Sequence, residues 1–292
     1  MEIYEQIQFT CPHSPSEVLQ SNDTALSCAS NGRIYPLLAG IPILHPDPIR
    51  WIADHRDAIL AALASSWRLS DSDISIVNAV AEMSGPFEAH GFAEDWDLRE
   101  GSSDTQLDFS SHEVHSLLEA EKSDGLYAAA SRIVRGWAGR ILEVGCGVGR
   151  FSREMAQLHE SELIVLDNNL KALLHCTAAV EQVSACIGDA SALPFQDANF
   201  DHLVALNLVD LLESPEDFLD EAFRVTKPGG TCLLSTPDPA LGLPDEDSER
   251  LQRFALNSGF ELQSRLDGLV WTRHVSPREL QVFSTQVLLL SR

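Results

Sequence analysis

The sequence lacks the features that mark a membrane or secreted protein. No apolar run approaches the 18 or so residues that span a bilayer, and no basic segment precedes an apolar one near its start. The cysteines show no disulfide-like spacing. We therefore expect a soluble, cytoplasmic protein with reduced thiols and no membrane partner. These cysteines are Cys11, Cys28, Cys146, Cys176, Cys186 and Cys232.

Basic residues are also scarce. The 20 Lys and Arg residues face 44 Asp and Glu residues, so the formal net charge is −24. A surface this acidic repels phosphate backbones, and no basic run is visible. We therefore expect no nucleic-acid partner. The 292 residues, 44% of them hydrophobic, suit one large or two modest globular domains.

Residues 140–150 contain the most informative pattern in the chain. They read Arg-Ile-Leu-Glu-Val-Gly-Cys-Gly-Val-Gly-Arg. The apolar run before the first glycine predicts a short buried parallel strand. Gly145, Gly147 and Gly149 then alternate through a turn, and residues 151–156 have helical composition. A strand, a glycine turn and a helix let a ligand lie against bare backbone.

This loop differs from two known phosphate-binding patterns. A dinucleotide-binding loop needs glycine at its first, third and sixth positions, and the sixth position here is Arg150. A phosphate-binding P-loop needs a lysine that is absent. Glu143 instead stands two residues before the first glycine. Its carboxylate suits a cationic ligand group and repels a pyrophosphate, although an ordinary tight turn is the alternative interpretation.

From Arg140 onward, strands alternate with helices, which predicts a mostly parallel sheet with helices on both faces. Asp167 ends the second strand, where an acidic side chain accepts hydrogen bonds from ribose hydroxyls, and Asn168 follows it. Ligands gather beyond the carboxyl ends of such strands. Asn207 and Leu208, which follow the fourth strand, are therefore expected to face the reacting group.

The chain resembles the class I methyltransferases that use S-adenosylmethionine, in particular the type 11 group. The resemblance rests on residues 140–150, on Gly-Asp-Ala and Leu-Pro-Phe within residues 188–195, and on Lys-Pro-Gly-Gly at residues 227–230. It implies a Rossmann-like, seven-stranded, mostly parallel sheet with an antiparallel edge strand. It also implies S-adenosylmethionine as cofactor and S-adenosylhomocysteine as product. The implied cofactor-binding residues are Glu143, Gly145, Cys146, Gly147, Gly149, Asp167, Asn168, Asp189, Ala190, Asn207 and Leu208.

Residues 34–44, Ile-Tyr-Pro-Leu-Leu-Ala-Gly-Ile-Pro-Ile-Leu, resemble the tail of a small zinc-ribbon family that includes the activator subunit of tRNA and protein methyltransferases. That family has two Cys-x-x-Cys knuckles. Each knuckle keeps only one cysteine here, because the residue three positions after Cys11 is Ser14 and the residue three positions after Cys28 is Asn31. Two thiolates leave a tetrahedral zinc site open, even with His13 added. We therefore expect a metal-free β-ribbon.

These patterns predict three regions. Residues 1–48 are expected to form a degenerate zinc-ribbon-like domain, and residues 49–125 a helical linker or lid. Residues 126–292 are expected to form the methyltransferase domain. A small-molecule methyl acceptor is the leading hypothesis. An RNA or protein acceptor, suggested by the ribbon, and a non-catalytic scaffold are the alternatives.

The candidate catalytic residues follow from the reaction. Methyl transfer from a sulfonium is an in-line displacement, for which alignment and desolvation supply most of the acceleration. A base is needed only when the acceptor must lose a proton, and it must then lie within about 3 Å of that proton's heavy atom. Asp210, His112, His274 and Tyr127 are the candidates, in that order. Many family members have Glu-His where this chain has Asp210-Leu211.

Overall fold

The computed structural model describes residues 7–22, 24–66, 70–84, 112–157, 161–241, 247–276 and 279–292. Residues 85–111, within the predicted helical linker or lid, lie outside these ranges. Within the described ranges, none of the helices combines the length and the apolar character needed to cross a membrane.

The N-terminal region is built of short antiparallel strands. One pair of strands forms a small sheet, and the other four form a second sheet in sequential order. Tyr35 is fully buried and shares an apolar cluster with Phe195 and Phe200, which come much later in the chain. The strands are β1 (Thr10–Cys11), β2 (Ser14–Val18), β3 (Gln20–Ser21), β4 (Ala25–Ser27), β5 (Ile34–Leu38) and β6 (Ile41–Pro42).

Helices follow, as the apolar periodicity of residues 49–84 predicts. Asp47 caps the first by accepting a hydrogen bond from the Arg50 amide, and Pro48 occupies its first turn. His55 breaks the run into two helices. The helices are α1 (Pro48–Asp54), α2 (Arg56–Ser65), α3 (Asp71–Ser84), α4 (His112–Asp124) and α5 (Leu126–Val134).

A seven-stranded sheet forms the centre of the protein. Its strands are β7 (Gly139–Val144), β8 (Ser161–Asp167), β9 (Ser184–Ile187), β10 (Phe200–Leu206), β11 (Thr226–Thr236), β12 (Glu261–Ser276) and β13 (Glu279–Ser291). They lie in the order β12–β13–β11–β10–β7–β8–β9, and β13 runs antiparallel to both its neighbours. The predicted Rossmann-like sheet, with an antiparallel pair at one edge, is confirmed.

Helices cover both faces of this sheet, as predicted. Alternating strand residues point to opposite faces, so Leu142 and Ile141 belong to two different apolar clusters. The first cluster contains side chains of the last two helices, and the second contains those of α1, α2 and α5. The remaining helices are α6 (Ser152–Met155), α7 (Leu170–Ala179), the 3₁₀ turn Val209–Leu211, α8 (Pro215–Val225) and α9 (Arg250–Asn257).

The N-terminal region is joined to the edge of the sheet. Ile43 pairs with Ile187 of β9 in a parallel bridge, and the Leu44 amide donates to the Ile187 carbonyl at 2.8 Å. The Thr10 amide donates to the Pro194 carbonyl at the same distance. The region therefore continues the sheet one step beyond β9.

Asp201, at the start of β10, links neighbouring segments at the amino end of the sheet. Its carboxylate accepts from the Arg140 amide at 2.9 Å and from Lys227 at 2.8 Å. Although partial burial opposes it, hydrogen bonding to Lys227 and Arg140 lowers the pKa of Asp201. A lowered folded-state pKa stabilises the fold above the ordinary pKa, and this contribution is lost as the pH falls through the folded value.

We therefore expect Asp201→Asn to lower the free energy of unfolding by about 1 kcal/mol at pH 7. The difference from the unmodified protein should shrink below about pH 4. Urea unfolding at pH 7 and below about pH 4 measures this difference in the free energy of unfolding. The matched control is Asp197→Asn, because Asp197 pairs with Arg224 but is 73% exposed. Equal effects of the two substitutions would contradict this account of Asp201.

Candidate functional site

The glycine loop has the geometry that its sequence predicts. It connects β7 to α6, and Gly145, Gly147 and Gly149 have φ angles of +73°, +53° and +82°. Side chains with a Cβ atom rarely adopt such angles. The backbone therefore needs glycine at each of these positions.

Close approaches add a second requirement at two of the glycines. A Cβ atom on Gly149 would lie 2.7 Å from Sγ and 3.1 Å from Cα of Cys176 in α7. A Cβ atom on Gly145 would lie 3.0 Å from Cδ1 of Leu208, which follows β10. Three separate segments thus meet at bare backbone, and the contact of Leu208 with a ligand stays a prediction.

Asp167 holds the loop from the end of the neighbouring strand. Its Oδ2 atom accepts from the Gly147 amide at 2.8 Å, and Oδ1 accepts from the Asn169 amide at 2.9 Å. Burial raises the pKa of Asp167, while these amide hydrogen bonds work against the rise. Each oxygen keeps a further lone pair, so the carboxylate can also accept from a ligand hydroxyl.

Glu143 lies deeper than the sequence predicts for a group that faces a cationic ligand. The side chain is only 3% exposed, and it accepts a hydrogen bond from the Ser152 hydroxyl of α6. Burial raises its pKa well above the ordinary value, against the effect of that hydrogen bond. Glu143 therefore links the strand before the loop to the helix after it. Its contact with a ligand stays a prediction.

Asn168, Asp189 and Ala190 follow the ends of β8 and β9, and their contact with a ligand stays a prediction. Asn168 is exposed, and its Oδ1 atom accepts from the indole N–H of Trp51 at 2.6 Å. Asp189 is half-buried and accepts from the Ser191 amide at 2.8 Å, while Ala190 is buried. No sequence pattern pointed to Trp51, which comes from α1, as a neighbour of this site.

Asn207 has two unusual features at the carboxyl end of β10. Its φ angle is +53°, and its amide donates to the Ser235 carbonyl and hydroxyl at 2.9 and 3.0 Å. The Ser235 hydroxyl donates to Asn207 Oδ1 at 3.0 Å, while the buried Nδ2 atom has no partner within the described part of the chain. Strain and an unsatisfied donor together are typical of a ligand-binding position.

Asp210, the first candidate base, lies in the 3₁₀ turn after Asn207. Its Oδ1 atom accepts from the Thr236 hydroxyl at 2.8 Å, and Thr236 Oγ1 in turn accepts from the Asp238 amide. Burial raises the pKa of Asp210, opposed by the Thr236 hydrogen bond. This places a carboxyl of raised pKa beyond the ends of β10 and β11.

Tyr127 contacts the glycine loop through Arg150. The Arg150 guanidinium lies 4.2 Å from the centre of the Tyr127 ring, and its Nη2 atom is 3.5 Å from Glu121. Glu121 is buried and accepts from both the amide and the hydroxyl of Thr272, at 2.9 and 2.5 Å. The pair Glu121–Thr272 joins α4 to β12, and no local sequence pattern could have indicated a contact across 151 positions.

The two candidate histidines occupy α4 and β12. His112 is the first residue of α4, and His274 lies near the end of β12. Both side chains lie outside the described part of the chain, so their roles stay predictions.

Hydrogen bonds surround the thiols at the half-lost knuckles. Cys11 Sγ accepts from Asn31 Nδ2 at 3.3 Å and lies 3.2 Å from the Tyr35 hydroxyl. Cys28 Sγ lies 3.5 Å from the Ser30 hydroxyl. Across the residues that the structure covers, no three His, Cys, Asp or Glu side chains converge as metal ligands would. Asn31, at a position where the resemblance to the zinc-ribbon family would place a cysteine, thus donates to the Cys11 thiol.

Comparison with known proteins identifies the central segment. Residues 142–234, from β7 to β11, match the family described as a methyltransferase domain. The match contains the glycine loop, Asp167, Asp189 and Asn207, so the predicted motifs and the family agree on one segment.

Individual relatives match a part of the chain. A probable S-adenosylmethionine-dependent methyltransferase of Mycolicibacterium smegmatis is 33% identical over 118 residues, which are 40% of this chain and 46% of the relative. A fatty-acid O-methyltransferase of the same organism is 34% identical over 112 residues, 36% of this chain and 40% of the relative. The chain thus spans less than half the length of these curated relatives.

A solved structure is similar over a wider range. The S-adenosylmethionine-dependent methyltransferase from Mesorhizobium loti matches 56% of this chain and 97% of its own, with a TM-score of 0.45 and 16% sequence identity.

Gly149 tests the close packing of the loop. We expect Gly149→Ala to destabilise the protein by about 2–4 kcal/mol, because the φ angle disfavours a Cβ atom and Cys176 occupies its space. Urea unfolding measures this. Gly136→Ala is the matched control, since a Cβ atom there meets nothing within 4 Å. An unchanged stability in Gly149→Ala would show that the loop can relax away from α7.

Proposed function

We propose that the protein is an S-adenosylmethionine-dependent methyltransferase that acts on a small molecule. The observation that carries this proposal is the contact between Asp167 and the Gly147 amide at 2.8 Å. It holds a carboxylate beside a loop whose positions 145 and 149 have no room for a Cβ atom. A sugar hydroxyl and an extended chain can bind there together.

The residues of the site fit the parts of this cofactor. Asp167 would accept from the ribose hydroxyls, and Asp189 would accept from the adenine amino group. The loop from Gly145 to Gly149 would lie along the methionine portion. Bound S-adenosylmethionine supplies a methyl group on a sulfonium. The chain then has to orient that methyl, exclude water from it and align the acceptor.

Asn207 would define where the acceptor meets the methyl group. Its carboxamide is fixed by Ser235, so the unpartnered Nδ2 atom is already oriented before a ligand arrives. The Ser235 hydroxyl accepts from the Asn207 amide and donates to Asn207 Oδ1, which assigns the oxygen to the Ser235 side of the carboxamide. An oriented donor of this kind costs no reorganisation when the ligand binds.

Charge and one relative support a small-molecule acceptor. A net charge of −24 disfavours an RNA acceptor, whose phosphates would be repelled. One relative from Mycolicibacterium smegmatis is a fatty-acid O-methyltransferase by name. Acceptor screening would therefore begin with carboxylic acids and phenols and extend to amines.

Cofactor binding is the direct test. We expect calorimetric titration with S-adenosylhomocysteine to give a dissociation constant in the micromolar range, about −8 kcal/mol. Asp167→Ala removes the ribose acceptor and the anchor of the loop, and Gly147→Val forces a branched side chain onto a φ angle of +53°. Each should weaken binding at least about tenfold, the loss of one charged hydrogen bond.

The control for these variants is Asp197→Ala, which removes a carboxylate that is 73% exposed and far along the chain from the loop. It should bind as the unmodified protein does. A folded, unmodified protein that binds no S-adenosylhomocysteine would overturn the proposed function and favour a scaffold.

Asp210 is proposed as the base when the acceptor carries a proton. Because burial raises its pKa, the carboxylate form appears at a higher pH than for an ordinary Asp, and the rate should rise with pH through that raised value. Asp210→Asn should remove this rise and lower kcat by about 10²-fold. Asp220→Asn, an exposed residue of α8, is the control. An unchanged pH profile in Asp210→Asn would exclude it as the base.

A further inference from the structure

The N-terminal chain passes directly across the predicted adenosine end of the site. Ile43 pairs with Ile187, and the Leu44 amide donates to the Ile187 carbonyl at 2.8 Å. Asp189 lies two residues beyond Ile187. Helix α1 begins at Pro48, four residues after Leu44. The segment that enters α1 therefore runs beside the turn that carries Asp189.

Trp51 of α1 makes a specific contact with the end of β8. Its indole N–H donates to Asn168 Oδ1 at 2.6 Å, although the two residues are 117 positions apart. The indole is only 3% exposed and is stacked on His55, with ring centres 4.9 Å apart. A buried indole N–H usually finds a partner. Here the partner is the exposed Asn168 side chain, so the hydrogen bond fixes the Asn168 carboxamide at the surface of the site.

This contact determines what Asn168 offers to a ligand. A carboxamide has an oxygen that accepts and an NH₂ group that donates. Because Trp51 occupies the oxygen, Asn168 presents its N–H donors. The ring nitrogens of adenine are hydrogen-bond acceptors, so this orientation matches the base. A carboxamide that rotated freely would present its oxygen for part of the time and would bind the base less well.

His45 lies at the other end of the same segment. Burial lowers the pKa of His45, against the pull of the Asp189 carboxylate. Its Nδ1 atom accepts from the Asp47 amide at 3.1 Å, which holds the ring at the start of α1. A ring kept neutral in this way forms no ion pair with Asp189. The carboxylate can then accept from a ligand amino group.

We propose that residues 43–55 complete the adenosine end of the cofactor site, and that Trp51 is a positioning residue that orients the Asn168 carboxamide toward the base. This inference rests on the proposed function, because it assumes that an adenosine group binds at Asp167. It assigns to the N-terminal region a direct part in cofactor affinity.

The test compares Trp51→Phe with Asn168→Ala and with the double variant, in the full-length chain. Phenylalanine keeps an aromatic ring on α1 and removes the N–H donor. The affinity for S-adenosylhomocysteine, measured by calorimetry, should fall about three- to tenfold in each single variant, the value of one hydrogen bond. Because Trp51 acts through Asn168, the double variant should bind no more weakly than the weaker single variant.

Trp137→Phe is the matched control. Trp137 precedes β7 and stacks on His202 at 4.2 Å, at the amino end of the sheet. It should leave affinity unchanged. Tryptophan emission gives an independent readout: the change on S-adenosylhomocysteine binding should persist in Trp137→Phe and largely disappear in Trp51→Phe.

The outcomes separate the two proposals. If the unmodified protein does not bind S-adenosylhomocysteine, both the proposed function and this inference fail. If it binds and Trp51→Phe binds equally well, the inference alone is overturned. Additive losses in the double variant would also overturn it, since they would mean that Trp51 acts independently of Asn168.

Discussion

The carboxylate of Asp167 receives hydrogen bonds from two backbone amides that belong to different turns. Gly147 is in the loop after β7, and Asn169 begins the helix after β8. Because β7 and β8 are adjacent and parallel, both turns leave the sheet at the same edge, and one side chain can hold them together. The position of the glycine loop, and with it the approach of Leu208 and Cys176, depends on this link. A partly buried acid would be costly without such donors, and the donors here are fixed by the fold.

The two kinds of buried acid around this site have different functions. Asp167 keeps lone pairs for a ligand, whereas Glu143 is withdrawn behind the loop and bound to Ser152. The glycine loop therefore lies between an acid that faces outward and an acid that faces the core. The side chain of Arg150, at the end of the loop, contacts Tyr127 and Glu121. The site is assembled from β7, β8, β9 and β10, with α1, α4 and β12 around it.

Local pattern was sufficient for the sheet and for the positions of the motifs. Glycine alternation predicts φ angles above zero, and an acid at a strand end predicts a residue at the carboxyl edge, since both depend on neighbours in sequence. Trp51, Ser152 and Thr272 could not be found in this way, because their partners are fixed only by the tertiary fold. The depth of Glu143 was missed for a related reason: composition shows that a residue is acidic, and only packing shows which way its side chain faces. The predicted break between an N-terminal domain and a helical region also gives no hint that Ile43 pairs with β9.

The contacts between the N-terminal region and the rest of the protein affect the order in which the chain can fold during synthesis. The ring centres of Phe9 and Phe195 lie 5.8 Å apart, and the Thr10 amide donates to the Pro194 carbonyl, so these early residues have their partners almost two hundred positions later. During synthesis these residues leave the ribosome long before β9 and the turn after it exist. The apolar side chains of the N-terminal strands therefore stay exposed at first, because the residues that bury them have not yet been synthesised. Contacts of such long range slow folding and extend the time for which apolar surface is exposed. The N-terminal region is thus synthesised well before its partners and is among the last parts that can reach their final environment.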